Sequence, residues 1–290
     1  MTSASIIKNP SNLRSRKIIN SVMLTMCILA AVITIIPLLY IFFYTTQSGI
    51  SSLNVDFFTQ LPKPVGEEGG GMANAIVGSA ILIGIGALIG IPVGILSGIY
   101  ISEYSKTFVS TIVKFITDVL SGVPSIIVGI FAYGVIVIPM QRFSALAGGF
   151  ALGILMIPTI TKITEEMLKL VPQSLREASL ALGVSRWKTS LKIVLKTASS
   201  GIVTGVLLAI ARAAGETAPL LFTSFGNSFW QTSLDEPMAA LPLQIFVYAI
   251  SPYDDWHRQA WAGAFVLIFL VFVVNLLVRI VTRNKFSGNL

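Results

Sequence analysis

Arg212 and Glu216 are the residues whose types and spacing carry chemistry in this chain. Both lie in an apolar run over residues 199–225. Counting from Ser199 at about 1.5 Å per residue puts Arg212 roughly 20 Å along it, near the middle or just beyond. A charge at that depth of a bilayer costs on the order of 2.5 to 3.5 kcal/mol even on the lenient insertion scale, so it needs a partner or a watery pathway. Glu216 stands four residues on, one helical turn away on the same face. The pair either neutralises itself and fixes helix packing, or presents a guanidinium to a passing anion while Glu216 orients it or exchanges partners with it. Arginine suits a tetrahedral oxyanion because its planar fork gives bidentate hydrogen bonds and it stays charged at any working pH.

The remaining inventory is thin. His257, the only histidine, sits at an outer membrane edge beside Trp256 and Trp261 and suits an interfacial role. Cys27, the only cysteine, lies inside the first apolar run, which excludes a disulfide framework and a zinc cluster. Asp118 falls near the start of an apolar run and suits an interfacial or helix-start position better than proton transfer. Glu165 and Glu166 are adjacent, so on a helix they point about 100° apart and form a solvated face rather than an acid–base pair. No His-Glu-x-x-His, no Cys pair and no G-x-x-x-x-G-K-[ST] loop occurs. The chain therefore has no visible means of hydrolysing ATP, and no nucleophile–base arrangement for an intramembrane enzyme.

The elements that position Arg212 follow from composition. With 290 residues, 54% hydrophobic and 11% charged, and a mean hydropathy of +0.83, the chain is too apolar for a soluble domain. Its apolar residues gather into runs of about twenty or more, which makes it an all-α, polytopic membrane protein with six transmembrane helices. The expected spans are residues 20–45, 73–101, 115–139, 144–161, 199–225 and 259–281, within a single transmembrane domain over 20–285. A tail over 1–19 precedes it and a tail over 286–290 follows. Sixteen of the twenty Lys and Arg fall on one side of these spans, three (Lys63, Arg142 and Arg258) on the other, and Arg212 on neither. That asymmetry puts both termini in the cytoplasm. The net charge of +7 reflects this orientation; the basic residues form no separate patch with interleaved aromatics, so nucleic acid is not an expected partner.

Three features shape the spans. Gly86, Gly90, Gly94 and Gly98 line one helical face at four-residue spacing and invite another helix, in this chain or a second one, to pack backbone to backbone. Around residues 121–125, Pro124 removes a backbone donor and biases Val123 away from helix, so the third span kinks or breaks there, as a packed bend or a bend lining a pathway. Residues 162–198 form the largest cytoplasmic loop, a helix-turn-helix in which Pro172 starts one helix, Gly183 ends it and Ser185 caps the next.

Within that loop, Glu177-Ala178-Ser179, Leu180, Gly183 and the apolar residues 193–195 resemble the Glu-Ala-Ala loop of ABC importer permeases. Gly122-Val-Pro-Ser-Ile126, Ala211-Arg-Ala-Ala-Gly-Glu-Thr-Ala-Pro219 and Leu241-Pro-Leu-Gln244 are similar to motifs of the phosphate-specific importer permeases. Ile91-Pro-Val-Gly94 through Ile99-Tyr-Ile-Ser-Glu-Tyr104 look more like the A-type subunit than its C-type partner. The resemblance implies a type I ABC importer permease fold in which Glu177, Ala178, Ser179, Leu180 and Gly183 dock on a cytoplasmic ATPase. It implies a substrate pathway that includes Arg212, Glu216, Thr217 and Ser125. The implied partners are a homologous second permease in a heterodimer, two ATPase subunits that carry ATP and Mg, an extracytoplasmic phosphate-binding protein, and membrane lipid; the chain itself binds no cofactor or metal. Two departures stand out: Ser179 replaces a second Ala, a small-for-small change, and Lys196 occupies a place where many relatives have proline, which lets the second loop helix run straight into the fifth span. The same arginine would serve another oxyanion such as phosphonate or sulfate. A proton-coupled carrier using Glu216 or Asp118 is a further alternative, though it leaves the loop unexplained.

Overall fold

The structure, a computed structural model, describes residues 10–67 and 69–286. The chain divides into two compact units, Met1–Ser48 and Gly49–Leu290. The first is built by α1 (Pro10–Gly49). Proline opens this helix where a backbone N–H would have no partner, and nothing breaks the run from there into the apolar residues. Arg14, Arg16 and Lys17, expected in a polar tail over 1–19, are therefore helical. Residues 1–9 of that tail, and residues 287–290 at the other end, lie outside the described residues.

The second unit begins with a 3₁₀ turn (Ile50–Ser52) and α2 (Val55–Thr59), whose Asn54 cap accepts a hydrogen bond from the Phe57 N–H at 2.8 Å. There follow α3 (Ala73–Glu103), α4 (Phe108–Gly122) and α5 (Ser125–Ala132), which a π turn (Tyr133–Val137) joins to α6 (Ile138–Met140). Next come α7 (Ala145–Lys169), α8 (Gln173–Ala181) and α9 (Arg186–Thr189), and a second π turn (Ser190–Val194) leads into α10 (Leu195–Ala214). Short helices α11 (Ala218–Leu221) and α12 (Leu241–Ala249) precede α13 (Asp254–Phe286). Among the described residues the only β pairing is an isolated bridge between Phe225 and Met238.

Among the described residues, five stretches are long and apolar enough to cross a membrane: Ser15–Ser52, Ala73–Glu103, Ala145–Lys169, Arg186–Ala214 and Asp254–Val273. A sixth crossing requires Phe108–Gly122 and Ser125–Met140 to count together, and these are bent by 107°. The bend expected in the third span is thus a full break at Val123 and Pro124, both with extended ψ, and the helix before it starts at Phe108 rather than near 115. Each arm is about 22 to 24 Å long, short of a hydrocarbon core of about 30 Å. On α4 the polar side packs inward, burying Ser110 and Thr117, while Phe108, Phe115, Ile116 and Val119 are exposed.

Other boundaries move for local reasons. The helix expected over 144–161 runs on to Lys169, because its next eight residues contain no breaker before Val171-Pro172, and Glu165 and Lys169 pair one turn apart. The span expected over 199–225 stops at Ala214, where Gly215 ends it, and its upstream end is continuous from Arg186 through the π turn. Lys196 sits inside that continuous helix, as its replacement of proline predicts. Asp254 and Asp255 begin α13 five residues before the expected 259, in a first turn that favours negative charge. The outer loop expected after the fifth span holds α12, which buries Leu241, Leu243 and Tyr248, and whose Leu241 N–H donates to Ser79 Oγ at 2.7 Å. Beside it, the Ser233 hydroxyl and then the Arg142 guanidinium, 2.7 Å away, hold the Asp235 carboxyl below the usual aspartate range.

At the centre of this unit α3 and α7 pack along their glycines. Gly86, Gly90, Gly94 and Gly98 are buried, and a Cβ on each would stand 3.0, 2.9, 2.7 and 2.6 Å from the Cβ atoms of Leu152, Met156, Ile160 and Thr164 in turn. In return Gly149 and Gly153 lie beneath Ile85 and Ile89. The partner of the glycine face is therefore α7 of the same chain. Gly90 faces backbone as well, with the Gly153 carbonyl oxygen 3.0 Å from the added Cβ, so the neighbour cannot yield by rotating a side chain. Overpacking of this kind costs roughly 1 to 3 kcal/mol. Gly90→Leu is expected to lower the thermal unfolding midpoint of the detergent-purified chain, whereas Gly84→Leu, where nothing lies within 4 Å, leaves it unchanged.

Candidate functional site

Arg212 occupies the last turn of α10, a position where the helix dipole favours a cation. Gly215 closes the helix by donating its N–H to the Arg212 carbonyl at 3.1 Å, and the Glu216 N–H reaches the Ala213 carbonyl at 3.2 Å. Glu216 is thus just past the helix and not one turn further along it, and Arg212 is at the end of its helix rather than near the middle. The pairing itself is present: Arg212 Nε lies 3.7 Å from Glu216 Oε1, within reach of Coulomb attraction but too long for a hydrogen bond. The two side chains differ in exposure, 60% for Arg212 and 17% for Glu216. A carboxylate tucked into the protein therefore stands behind a guanidinium that reaches out, and among the described residues that guanidinium donates no hydrogen bond. All five of its N–H groups remain available to a ligand.

The two other expected pathway residues come from elements that pack on one another. Gly129 of α5 meets Pro219 of α11, whose Cα would stand 2.6 Å from an added Cβ. Ser125, one turn before Gly129 on the same face, is half-buried, and half-buried Thr217 takes the cap position of α11 without a side-chain capping bond. The contact sets α5, three residues past the Gly122–Ile126 motif, against the last residue of the Ala211–Pro219 motif. No hydrogen bond or ion pair joins Ser125 or Thr217 to Arg212 among the described residues.

At the opposite end of the Arg186–Ala214 helix lies the loop. Pro172 holds the cap position of α8, one residue before the first helical position expected for it. Gly183 adopts φ +77° and ends the helix by donating to the Leu180 carbonyl at 2.9 Å, while Val184 N–H reaches the Ser179 carbonyl at 3.3 Å. Ser185 stands at the cap of α9, but its side chain caps nothing; its carbonyl accepts the Thr189 N–H at 3.0 Å instead. Glu177 and Ala178 are exposed, as are Leu175, Leu180 and Leu182, the last at 84%. Ser179 is the buried residue of α8, and its hydroxyl shares a 2.8 Å hydrogen bond with that of Thr189. The departure from alanine there is not a neutral exchange of small residues, since it ties α8 to α9.

Two carboxylates organise this end, Glu103, which no sequence feature marks, and Glu165, which sequence analysis places on a solvated face. Glu103, the last residue of α3, pairs with Arg176 and accepts from the Ser190 hydroxyl at 2.9 Å. Glu165 is buried, contrary to the solvated face expected of it, and pairs with Lys169 and, at 3.5 Å, with Lys114 of α4; Glu166 is exposed as expected. No signal of spacing marks Glu103 and Arg176, which lie 73 residues apart. Asp118 pairs with Lys162 at 2.9 Å, and His257 is held by the Ser251 carbonyl at 2.6 Å, so both have local structural partners. Among the described residues no three of His, Cys, Asp and Glu gather as a metal site.

A sequence model described as "Binding-protein-dependent transport system inner membrane component" matches residues 90–286. The chain is 45% identical over 249 residues to the phosphate transport system permease protein PstA of Yersinia pestis, covering 86% of this chain and 84% of that one. It is 43% identical over 282 residues to the protein of the same name from Haemophilus influenzae, covering 96% and 100%. Among solved structures, an inward-facing form of the MetNI methionine ABC transporter matches with a TM-score of 0.58 at 18% identity, over 73% of this chain and 96% of that one, a likeness of fold. A chain of membrane-crossing helices, with an exposed helical loop at one end of its Arg186–Ala214 helix and an arginine at the other, belongs to the family of binding-protein-dependent transport system inner membrane components and is a transport permease subunit rather than an enzyme.

Proposed function

We propose that this chain is the A-type permease of an ATP-driven importer that carries inorganic phosphate across the inner membrane by alternating access. The observation that carries the reading is the Arg212 guanidinium, exposed, without a hydrogen bond among the described residues, and backed by Glu216 at 3.7 Å. The names of relatives matched over nearly the whole chain supply the anion. A monovalent or divalent phosphate would take bidentate bonds from Arg212, with Thr217 and Ser125 as further hydroxyl donors near the same path.

The Lys and Arg asymmetry supports an orientation with both termini and the α8 loop in the cytoplasm. There α8 docks on an ATPase through Glu177, Ala178, Leu180 and Gly183, with Leu175 and Leu182 as apolar contacts; Ser179, expected among the docking residues, is buried beneath them and holds α8 to α9 instead. The working assembly is a heterodimer with a homologous second permease, two ATPase subunits holding ATP and Mg, and an extracytoplasmic phosphate-binding protein. This chain holds no cofactor of its own. Because the Arg186–Ala214 helix runs unbroken from the loop to Arg212, movement imposed on α8 reaches the anion along one element.

Reconstituting the complex in liposomes and adding binding protein loaded with phosphate, sulfate or phosphonate tests the reading. Phosphate should stimulate ATP hydrolysis and uptake most. Stimulation by sulfate or phosphonate instead would reassign the substrate, and uptake driven by a proton gradient without the ATPase would overturn the mechanism.

A further inference from the structure

Helix α8 has little packing to hold it. Its apolar side chains point outward, and Ser179 is its buried residue. A helix that receives force from an outside motor, yet is seated so loosely, would tilt about Gly183 unless polar ties fix it. The structure has such a tie. The Glu103 carboxylate at the end of α3 pairs through Oε1 with Arg176 Nη1 of α8, and through Oε2 accepts from the Ser190 hydroxyl in the π turn at 2.9 Å. The second guanidinium nitrogen, Arg176 Nη2, donates to the Leu168 carbonyl in the last turn of α7 at 2.7 Å. Both charged side chains are largely withdrawn from solvent, 16% exposed for Glu103 and 15% for Arg176. One two-residue junction thus joins α3, α7, α8 and the base of the helix that ends at Arg212.

We propose that Glu103 and Arg176 are positioning residues that make α8 one body with the ends of α3, α7 and the Arg186–Ala214 helix, so that movement of α8 is converted into movement of the permease. The inference rests on the docking role given to α8 above. With the junction broken, α8 yields to the ATPase while the transmembrane helices stay behind. ATP is then hydrolysed without a matching passage of anion.

The test is the number of phosphate ions taken up per ATP hydrolysed by the reconstituted complex, for wild type, the near-isosteric Glu103→Gln, Arg176→Ala, the double variant of these two, and the exchange Glu103→Arg with Arg176→Glu. Each single variant should lower that ratio by about fivefold or more with ATP turnover at or above the wild-type rate. The double variant should be no worse than either single one, because both remove the same junction. The exchange should recover part of the ratio. An unchanged ratio in Glu103→Gln and Arg176→Ala overturns the inference, as does a parallel fall in uptake and hydrolysis, which is what a purely structural defect produces. Failure of phosphate-loaded binding protein to stimulate the wild-type complex would instead reject the functional reading on which the inference stands.

Discussion

Arg212→Gln is expected to reduce phosphate uptake on the order of a hundredfold while the subunit still assembles with its partners. Glutamine is shorter than arginine and has neither the charge nor the fork, so an anion arriving there loses its charge-assisted bidentate contact. Assembly should survive because the side chain is 60% exposed and its pairing with Glu216, at 3.7 Å, is loose; exposed pairs of this sort contribute little to stability. Arg212→Lys keeps the charge without the fork and should fall between the two. Glu216→Gln provides the contrast. If Glu216 orients the guanidinium, its loss should be milder than that of Arg212; an equal or greater loss would assign it a direct part in passage. Uptake of labelled phosphate into proteoliposomes, normalised to assembled complex, measures all three. Wild-type uptake in Arg212→Gln would reduce the residue to closing a helix end.

Gly183→Val should uncouple ATP hydrolysis from uptake. At φ +77° a β-branched residue is strained whatever its surroundings, by roughly 1 to 2 kcal/mol or more, yet nothing lies within 4 Å of an added Cβ, so there is no clash to relieve. The strain is released by opening the turn, which swings α8 away from the axis of α9 and misdirects the docking face. Asparagine tolerates the left-handed conformation far better than valine, so Gly183→Asn should keep most of the coupling. The ratio of phosphate imported to ATP hydrolysed is the readout. Similar ratios in Gly183→Val and wild type would argue against the docking role of the loop.

Features set by local chemistry were legible in the sequence. The spacing of Gly86, Gly90, Gly94 and Gly98 announced a close helix contact, Pro124 announced a break, and Gly183 announced a turn, because each depends on what a single backbone position can adopt. Their tertiary consequences were not. Four glycines cannot reveal that Leu152, Met156, Ile160 and Thr164 are what they admit. Type and spacing mark the Arg212–Glu216 pair, but the apolar run around it conceals that the helix stops at Gly215, for which Pro219 shortly beyond is the one local stop signal. Ser179 looked exchangeable for alanine because its partner, Thr189, lies on the next helix. Glu165 reads as solvated because Lys114 of α4, with which it pairs, is far away in the chain. The Glu103–Arg176 junction is the extreme case: ordinary charges on either side of a span, given meaning only when the fold brings them together.

Passage of the anion beside Arg212 can be measured directly. Thr217→Cys in a Cys27→Ser background places the only thiol of this chain next to the α10 terminus with Arg212 intact, and labelling of this chain by a charged thiol reagent can be timed in an assembled, transport-competent complex. Phosphate delivered by the binding protein during ATP turnover should slow that modification severalfold, and sulfate should not. Equal rates with and without phosphate would contradict a pathway at Arg212.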